Sequence, residues 1–271
     1  MSLLPSQLGF GVSGAHGTAL VPPGDTLRLL KAAFEGGVRV FDTAPAYGAG
    51  EAEKRLGRAL RGLPRDEVFI TTKAGVTSAG LARRIRDFSP AAIEASLNAS
   101  LSRLGLEGVD GLILHGPDPA ELSDALFARL DALKSAGAFR QLGVAGRGAE
   151  LDAALATGRF QLLMAPVHPF IGDGARARLV AARADGIVVM GIEAAGAGPA
   201  PLRMPRTLAD LYPLARALRS RQAPAPRVAM PGALCDPLRD GLADCVVMTT
   251  TKAAHLAQNL AALTGNGHGP A

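Results

Sequence analysis

Residues 38–48 read VRVFDTAPAYG, and this stretch decides how the rest of the chain is interpreted. Its β-branched and aromatic residues predict a strand, and Val38, Val40 and Asp42 share one face of it because side chains alternate with a period of two. Asp42 therefore lies at the carboxyl end of the strand. A proline and a glycine then shape the loop that carries Tyr47. The stretch therefore predicts a strand that ends in a carboxylate and is followed by a loop that carries a phenol.

The same scheme of strand followed by helix repeats along the chain. Strands are predicted at 8–13, 38–42, 67–72, 109–114, 139–145, 160–165, 187–192 and 245–248. Helices are predicted at 25–34, 51–60, 91–104, 120–136, 149–156, 174–184, 208–219 and 253–263. The proline-rich segment between the seventh predicted helix and the last strand receives no assignment, because it has little periodicity.

Eight alternating units predict the α/β class and a single closed (β/α)8 barrel over residues 1–271. A barrel of this kind needs about 250 residues, which this chain supplies. An open doubly wound sheet is the competing interpretation. It would show a G-x-G-x-x-G fingerprint after the first strand, whereas GFG at residues 9–11 lacks the later glycine.

Composition and charge narrow the class of protein. Hydrophobic residues make up 48% and charged residues 20%, as in globular proteins. The net charge of +5 does not indicate a nucleic-acid partner, because the arginines are scattered among acids. Two cysteines are too few for a disulfide framework or a metal site, and the chain shows neither a signal peptide nor a membrane span. We therefore expect a cytoplasmic protein without a metal, a membrane or a nucleic acid as partner.

Four side chains with chemical capacity lie at or after neighbouring predicted strand ends. Asp42 ends the second strand, Lys73 follows the third, His115 follows the fourth, and Tyr47 lies on the loop after the second. Taken singly, each has an ordinary explanation as a cap, a surface lysine or a loop histidine. Because barrel strands end side by side at the face where barrel enzymes work, we expect the four to meet.

Such a group can act as a proton donor and acceptor. A free phenol ionises only near pH 10, but a neighbouring ammonium favours its phenolate, and a carboxylate keeps that ammonium charged. Tyr47 can then exchange a proton near neutrality, while His115 hydrogen-bonds and polarises the substrate oxygen.

At these residues the chain resembles the aldo-keto reductase family. The resemblance rests on FDTAPAYGAGEAEKRLGRAL, FITTKAG, SLSRLGLEGVDGLILHGPD and LKSAGAFRQLGVA. Within the family, the FDTAPAYG sequence is most similar to the branch of sugar and pyridoxal dehydrogenases. It implies Asp42, Tyr47, Lys73 and His115 as the catalytic tetrad of an NAD(P)-dependent oxidoreductase. The substrate would be a small carbonyl compound, an aldehyde, ketone or sugar lactol, interconverted with an alcohol or lactone. The sequence does not predict the oligomeric state.

The resemblance also returns near the end of the chain, at TTTKAAHLAQNL, which is similar to the family's adenosine-phosphate segment. The cofactor contacts it implies are Thr249, Thr250, Lys252, His255 and Asn259. Gly196 and Gly198 are predicted to approach the pyrophosphate closely because they lack side chains, and Ser13 and Asp42 are also predicted as cofactor contacts. Lys252 suits the 2′-phosphate of NADP, with NAD possible, and Arg203 and Arg206 are further phosphate partners. The threonines can equally be helix N-caps, and the glycines can simply belong to a loop.

Three departures from the family pattern concern the nicotinamide end. Ala145-Gly146 replaces the family's Ser-Asn, Ala165 stands near its missing glutamine, and Ile192 or Glu193 replaces its stacking aromatic residue. Each lost hydrogen bond is worth about 1 kcal/mol, so nicotinamide binding is expected to weaken by about tenfold or more. Arg147, His168 and Glu193 are the candidates to compensate. Pro231-Gly232 also falls at the family's seventh helix, which we expect to be broken or rebuilt.

Two alternatives stay open at this point. Lys73 can instead be a Schiff-base lysine, as in barrel aldolases and lyases. The missing nicotinamide anchors also suit a nucleotide-binding regulatory barrel without turnover.

Overall fold

The computed structural model describes residues 4–79, 83–198, 204–205, 207–219 and 226–265. The strands are β1 (Leu8–Gly11), β2 (Val40–Asp42), β3 (Phe69–Ala74), β4 (Val76–Ala79), β5 (Arg83–Arg86), β6 (Val109–His115), β7 (Phe139–Ala145), β8 (Leu162–Pro166), β9 (Val188–Ile192) and β10 (Cys245–Met248). The helices are α1 (Pro23–Glu35), α2 (Glu51–Leu60), α3 (Pro90–Leu104), α4 (Asp124–Ser135), α5 (Glu150–Ala156), α6 (Asp173–Ala184), α7 (Leu211–Arg219), α8 (Gly232–Arg239) and α9 (Ala253–Gly265).

Eight parallel strands close into a barrel in the order β1-β10-β9-β8-β7-β6-β3-β2, with helices between them. The predicted (β/α)8 fold is confirmed. The eight predicted strands are the eight barrel strands, with ends shifted by a few residues. The second strand begins only at Val40, so Val38 lies outside it and packs in the outer apolar layer.

Two apolar layers follow from the alternation of side chains along the strands. Val40, Phe69, Ile113 and Met190 belong to a cluster inside the barrel. The residues next to them on the strands, among them Phe41, pack outward in a larger cluster under the helices. Because Asp42 follows Val40 by two positions, its side chain shares the inward face at the carboxyl end of β2.

Helix ends follow local sequence signals. Pro90 opens α3, and the Ser89 side chain accepts a hydrogen bond from the backbone N–H of Ala92. Gly36 caps α1, and Gly37 follows it with a φ of 92°, a left-handed conformation that glycine adopts without strain. Among the described residues, no helix is long and apolar enough to cross a membrane.

The region between β9 and β10 differs from the expectation. We predicted its helix at 208–219 and a broken segment at Pro231-Gly232, but α8 begins at Gly232 directly after Pro231. It is α8 that packs against β10 and α9, while α7 is an additional helix. Proline is compatible with a helix start, since it lacks the N–H that would stay unpaired there. Pro237, inside α8, obscured the helical pattern.

A two-stranded antiparallel hairpin, β4–β5, follows β3 and was not predicted. It adds no strand to the barrel. Gly75 separates it from β3 with a φ of 92°, and the Phe88 ring occupies the space where a side chain at position 75 would lie. The hairpin therefore leaves the barrel at the end of the strand that carries Lys73.

Candidate active site

A buried ion pair joins the ends of β2 and β3. The Lys73 Nζ lies 2.6 Å from both carboxylate oxygens of Asp42, and the two side chains are only 2% and 6% exposed. The strand register explains the meeting, because Asp42 pairs with Thr71 and Lys73 lies two residues further along the same face. Sequence spacing predicted this approach, and the structure brings the two residues together.

Neighbouring oxygens complete the environment of this pair. The Thr71 hydroxyl donates to Asp42 Oδ1 at 2.7 Å, and Lys73 Nζ donates to the Thr43 carbonyl oxygen at 3.0 Å. Burial alone lowers the pKa of Lys73, but the Asp42 carboxylate and then the Tyr47 phenol outweigh burial and raise the pKa above its ordinary value. Lys73 is therefore an ammonium at neutral pH.

Tyr47 lies on the loop after β2, next to this ammonium. Lys73 Nζ is 5.2 Å from the centroid of the Tyr47 ring. The backbone of Gly48 (φ 61°) crosses Gly17 so closely that a side chain at position 48 would overlap the Gly17 carbonyl. The turn after β1 thus holds the tyrosine loop in place from the other side.

His115 ends β6, and its ring lies near that of Tyr47. The two ring centroids are 6.4 Å apart with the rings at 81°. Burial, followed by the positive charge of Lys73 and then of Arg84, Arg147 and Arg86, lowers the pKa of His115 to about 3. Its Nδ1 is buried without a hydrogen-bond partner among the described residues. His115 is therefore a neutral imidazole at physiological pH.

Three of the four predicted catalytic residues, Asp42, Lys73 and His115, thus lie near the fourth, Tyr47, at the carboxyl end of the barrel. The charged lysine and the neutral histidine both lie near the Tyr47 ring. This arrangement can stabilise a phenolate, exchange a proton with a bound oxygen, and position that oxygen by hydrogen bonding.

Supporting residues that the sequence analysis missed lie behind β3. Glu53 on α2 is fully buried, accepts a hydrogen bond from the Thr72 hydroxyl at 2.7 Å and pairs with Arg103 at 2.5 Å. Because Thr72 precedes Lys73, this network fixes the outer side of the strand that presents the ammonium. A glutamate within a mostly apolar helix face was the available signal, but its partners lie on distant parts of the chain.

At the end of β10, the first predicted cofactor threonine lies against β1. The Thr249 hydroxyl donates to the Gly11 carbonyl at 2.9 Å and lies 3.1 Å from Ser13 Oγ. A side chain at position 11 would meet Thr249 Oγ1 at 2.8 Å, so Gly11 permits this approach. Thr249 is nevertheless exposed, which leaves its surface open toward the mouth of the barrel.

The next residues lead into α9. Thr250 Oγ1 accepts from the Lys252 N–H at 3.2 Å, as an N-terminal cap does, and its carbonyl lies 2.9 Å from His16 Nε2. His16 Nδ1 lies 3.0 Å from Thr26 Oγ1, so this buried histidine joins α1 to the start of α9. Both predicted roles, cap and phosphate contact, are compatible with this geometry.

The remaining residues predicted at α9 have different surroundings. Lys252 Nζ forms an ion pair with Asp210 at 3.0 Å, and His255 is exposed. Asn259 is buried, with Nδ2 directed at the Met248 sulfur at 3.2 Å. A nucleotide phosphate at Lys252 would therefore share the lysine with Asp210, and the roles of His255 and Asn259 stay predictions.

Gly196 and Gly198 follow β9 with φ angles of 128° and 78°, in a region of backbone space that favours glycine. A side chain at Gly196 would overlap the carbonyl of Pro226, and the Arg227 guanidinium donates to the carbonyls of both glycines at 3.3 Å. The packing of residues 226–228 thus explains why glycine is needed at position 196, and a contact of this loop with pyrophosphate stays a prediction. Arg203 and Arg206 lie outside the described residues.

An ion pair lies where the family's nicotinamide anchors are missing. Arg147 follows Ala145-Gly146 and pairs with Glu193 at 2.6 Å, which bridges the ends of β7 and β9. Glu193 has a φ of 55°, a strained conformation for a residue with a side chain. His168 Nδ1 is buried without a partner in the described part of the chain. All three candidates for compensation therefore carry polar atoms at this end of the barrel.

The fold and this site together define a (β/α)8 barrel with a tyrosine near a buried ammonium and a neutral imidazole at the carboxyl ends of its strands. A model of the aldo/keto reductase family matches residues 7–198. The chain therefore belongs to the aldo-keto reductase family, which comprises NAD(P)H-dependent oxidoreductases.

Curated relatives agree with this assignment. The chain is similar to D-threo-aldose 1-dehydrogenase of Pseudomonas sp, with 32% identity over 85% of this chain and 80% of that protein. L-galactose dehydrogenase of Arabidopsis thaliana is 34% identical over 52% of this chain and 44% of its own length. An aldo-keto reductase structure from Bacillus halodurans covers 98% of this chain and 88% of its own, with a TM-score of 0.76 at 22% identity, and supports the fold.

Proposed function

We propose that the protein interconverts a small carbonyl compound and its alcohol or lactone, with Tyr47 as the general acid and base. The cofactor, when bound, supplies or accepts the hydride. Our proposal rests on one observation, the Lys73 ammonium 5.2 Å from the Tyr47 ring and held by both oxygens of Asp42. An ammonium at this distance favours the phenolate, so Tyr47 can release and regain its proton during turnover.

Each of the other residues has a distinct task in this proposal. Asp42 keeps Lys73 charged and directed at the phenol. His115, a neutral imidazole, hydrogen-bonds the carbonyl oxygen without competing with Tyr47 as a proton donor. A histidine whose pKa lies near 3 stays neutral across the physiological range, so its hydrogen-bonding role does not change with pH there.

The residues at β10 and α9 suit the phosphate end of a nicotinamide nucleotide. Thr249 offers an exposed hydroxyl beside Ser13, and the start of α9 offers backbone N–H groups, a common anion site in proteins. At the nicotinamide end we propose that Arg147, Glu193 and His168 take over from the missing amide side chains. The Nδ1 of His168 has no hydrogen-bond partner in the described part of the chain, and this supports the assignment because a buried nitrogen usually has a partner.

We favour NADP over NAD as the cofactor, because Lys252 can contact the 2′-phosphate. Lys252 would then share its positive charge between the phosphate and Asp210, its ion-pair partner. Sugars of the kind named for two relatives, D-threo-aldoses and L-galactose, are the substrates to test first.

The Schiff-base alternative fits the structure poorly. A Schiff-base lysine must lose its proton, whereas the Asp42 carboxylate raises the pKa of Lys73.

Tyr47→Phe tests the proposal, because it removes the phenol oxygen and preserves the ring. We expect turnover with NADPH or NADP and an aldose panel to fall by about a hundredfold or more, the usual contribution of a general acid. Nucleotide binding, followed by nicotinamide fluorescence, should stay near the wild-type value. Tyr212→Phe, at the only other tyrosine of the chain, is the matched control.

Three results bear on the alternatives. Unchanged turnover in Tyr47→Phe would exclude the mechanism. Nucleotide binding without turnover by the wild-type protein on any carbonyl of the panel would favour the regulatory barrel. The ratio of kcat/KM with NADPH to that with NADH measures the cofactor preference directly.

A further inference from the structure

The β4–β5 hairpin turns one of its faces toward the mouth of the barrel. Ser78 pairs with Arg84 and Val76 pairs with Arg86, and directly opposed residues of an antiparallel pair place their side chains on the same face. Ser78 Oγ donates to the Ala46 carbonyl at 2.9 Å, directly before Tyr47. This face of the hairpin therefore contacts the tyrosine loop.

The other end of the same face contacts the loop after β6. Arg86 Nη1 donates to the Gly116 carbonyl at 2.6 Å, directly after His115, and Arg86 forms further ion pairs with Glu121 and Asp118. Arg84 lies directly opposite Ser78 and two residues from Arg86 on the same strand and face. It is thus adjacent to both attachment points, which contact the loops that carry the phenol and the imidazole.

Among the described residues, no carboxylate neutralises the charge of Arg84. Arg86 is paired with Glu121, and Arg147, across the mouth, is paired with Glu193. Within the described ranges, the Arg84 side chain makes neither an ion pair nor a hydrogen bond, and the residue is exposed. Its positive charge nevertheless reaches the site, since it contributes to the lowered pKa of His115.

We propose that Arg84 binds an anionic group, a carboxylate or a phosphate, on the carbonyl substrate. This inference rests on the proposed function and specifies its substrate class. The planar guanidinium matches both anions with two parallel hydrogen bonds, so it orients the substrate as well as attracting it. The anion on the hairpin and the carbonyl oxygen between Tyr47 and His115 then fix the substrate at two points.

Matched substrate pairs that differ in charge test this inference. Succinic semialdehyde is compared with its methyl ester, and glyceraldehyde phosphate with glyceraldehyde, so the two pairs distinguish carboxylate from phosphate. Each is assayed with the wild-type enzyme, with Arg84→Gln and with Arg61→Gln. Arg61 is the matched control, because it is an exposed arginine at the end of α2 that makes no ion pair among the described residues.

The wild-type enzyme should prefer the anionic member of at least one pair. Arg84→Gln should lower kcat/KM for that member about tenfold more than for its neutral counterpart, the effect of losing one charge-assisted hydrogen bond. The loss should lie mainly in KM, and Arg61→Gln should leave the preference as in the wild type. Equal effects of Arg84→Gln on both members of both pairs would overturn the inference, as would a change confined to the KM for NADPH.

A binding measurement separates this inference from the proposed function. Benzoate and benzamide are titrated into the nucleotide-loaded protein and followed by ligand-observed NMR, which needs no turnover. We expect benzoate to bind more tightly than benzamide, and Arg84→Gln to remove the difference. If no carbonyl is turned over, the proposed function fails, and this titration alone decides whether Arg84 holds an anion. Equal binding of the two probes by the wild-type protein would refute the anion site.

Discussion

Lys73→Met removes the ammonium at the centre of the site and keeps a side chain of similar length. In the wild type, Nζ lies 2.6 Å from both oxygens of Asp42 and 3.0 Å from the Thr43 carbonyl. After the substitution, Asp42 keeps the hydrogen bond from Thr71 but has no opposite charge. At 6% side-chain exposure it cannot be solvated instead. The variant therefore leaves a buried carboxylate without compensation.

The structure sets the size of the expected loss. Removing one member of a buried pair typically lowers the free energy of unfolding by about 3–5 kcal/mol. With an unfolding entropy of about 2.1 cal/mol/K per residue over 271 residues, this corresponds to a Tm lower by about 5–9 °C. The combined variant Asp42→Asn, Lys73→Met removes both charges. It should lose less, about 2 kcal/mol or below, since a neutral amide can still accept from Thr71.

Thermal unfolding followed by circular dichroism measures both losses, and the difference between the single and the combined variant isolates the unpaired charge. Lys54→Met is the control, because Lys54 is an exposed lysine on α2. It should change the free energy of unfolding by at most about 0.5 kcal/mol. If Lys73→Met were as stable as the combined variant, the reasoning would be refuted, because an unpaired Asp42 carboxylate would then not lower the free energy of unfolding.

Two further predictions concern pH and backbone geometry. The pKa of His115 is lowered to about 3 in the folded state, so its contribution to stability is present above pH 6.5 and is lost as the pH falls toward 3. The free energy of unfolding of the wild type should therefore fall between pH 7 and pH 5, and His115→Asn should reduce this fall by about 2 kcal/mol in denaturant titrations. His255→Asn, at an exposed histidine, is the control. A fall as large in His115→Asn as in this control would contradict the prediction. Gly48→Ala introduces a side chain at a φ of 61° against the Gly17 carbonyl, so it should lower the free energy of unfolding by more than about 2 kcal/mol and displace the tyrosine loop. Gly62→Ala is its control in the same thermal assay, because a side chain at position 62 would meet no atom closer than 3.8 Å. If both variants lost the same free energy of unfolding, the contact between Gly48 and Gly17 would not be tight.

Most of the barrel was predictable from the sequence, because a buried parallel strand leaves a continuous signal of apolar residues between turn residues. β10 is an example, with CVVM predicted and observed at Cys245–Met248. The region before it was not predictable, since Pro237 inside α8 imitates a loop. The hairpin was missed for another reason. Its strands are short, and β5 is rich in arginine. The hairpin contacts Ala46 and Gly116, which are distant in the sequence.

The meeting of Asp42, Lys73 and His115 was predictable because strand ends in a barrel are neighbours by topology. Tyr47 was placed by the loop length alone. By contrast, the Glu193 pairing of Arg147 depends on a strained backbone at the end of β9, which no local pattern reveals. The Asp210 partner of Lys252 likewise comes from the additional segment before α7, whose position depends on tertiary packing.

The hairpin after β3 is attached to the barrel at two places and contributes no hydrogen bond to the closed sheet. Apart from Val76, which packs in the outer apolar layer, we expect its exposed residues to vary without disturbing the barrel. If the hairpin recognises the substrate as proposed, the exposed residues that select the substrate are largely separate from those that stabilise the fold. New preferences among small molecules could arise in such a scaffold by changing a few side chains on one flap, while the proton-transfer centre beneath it is inherited intact.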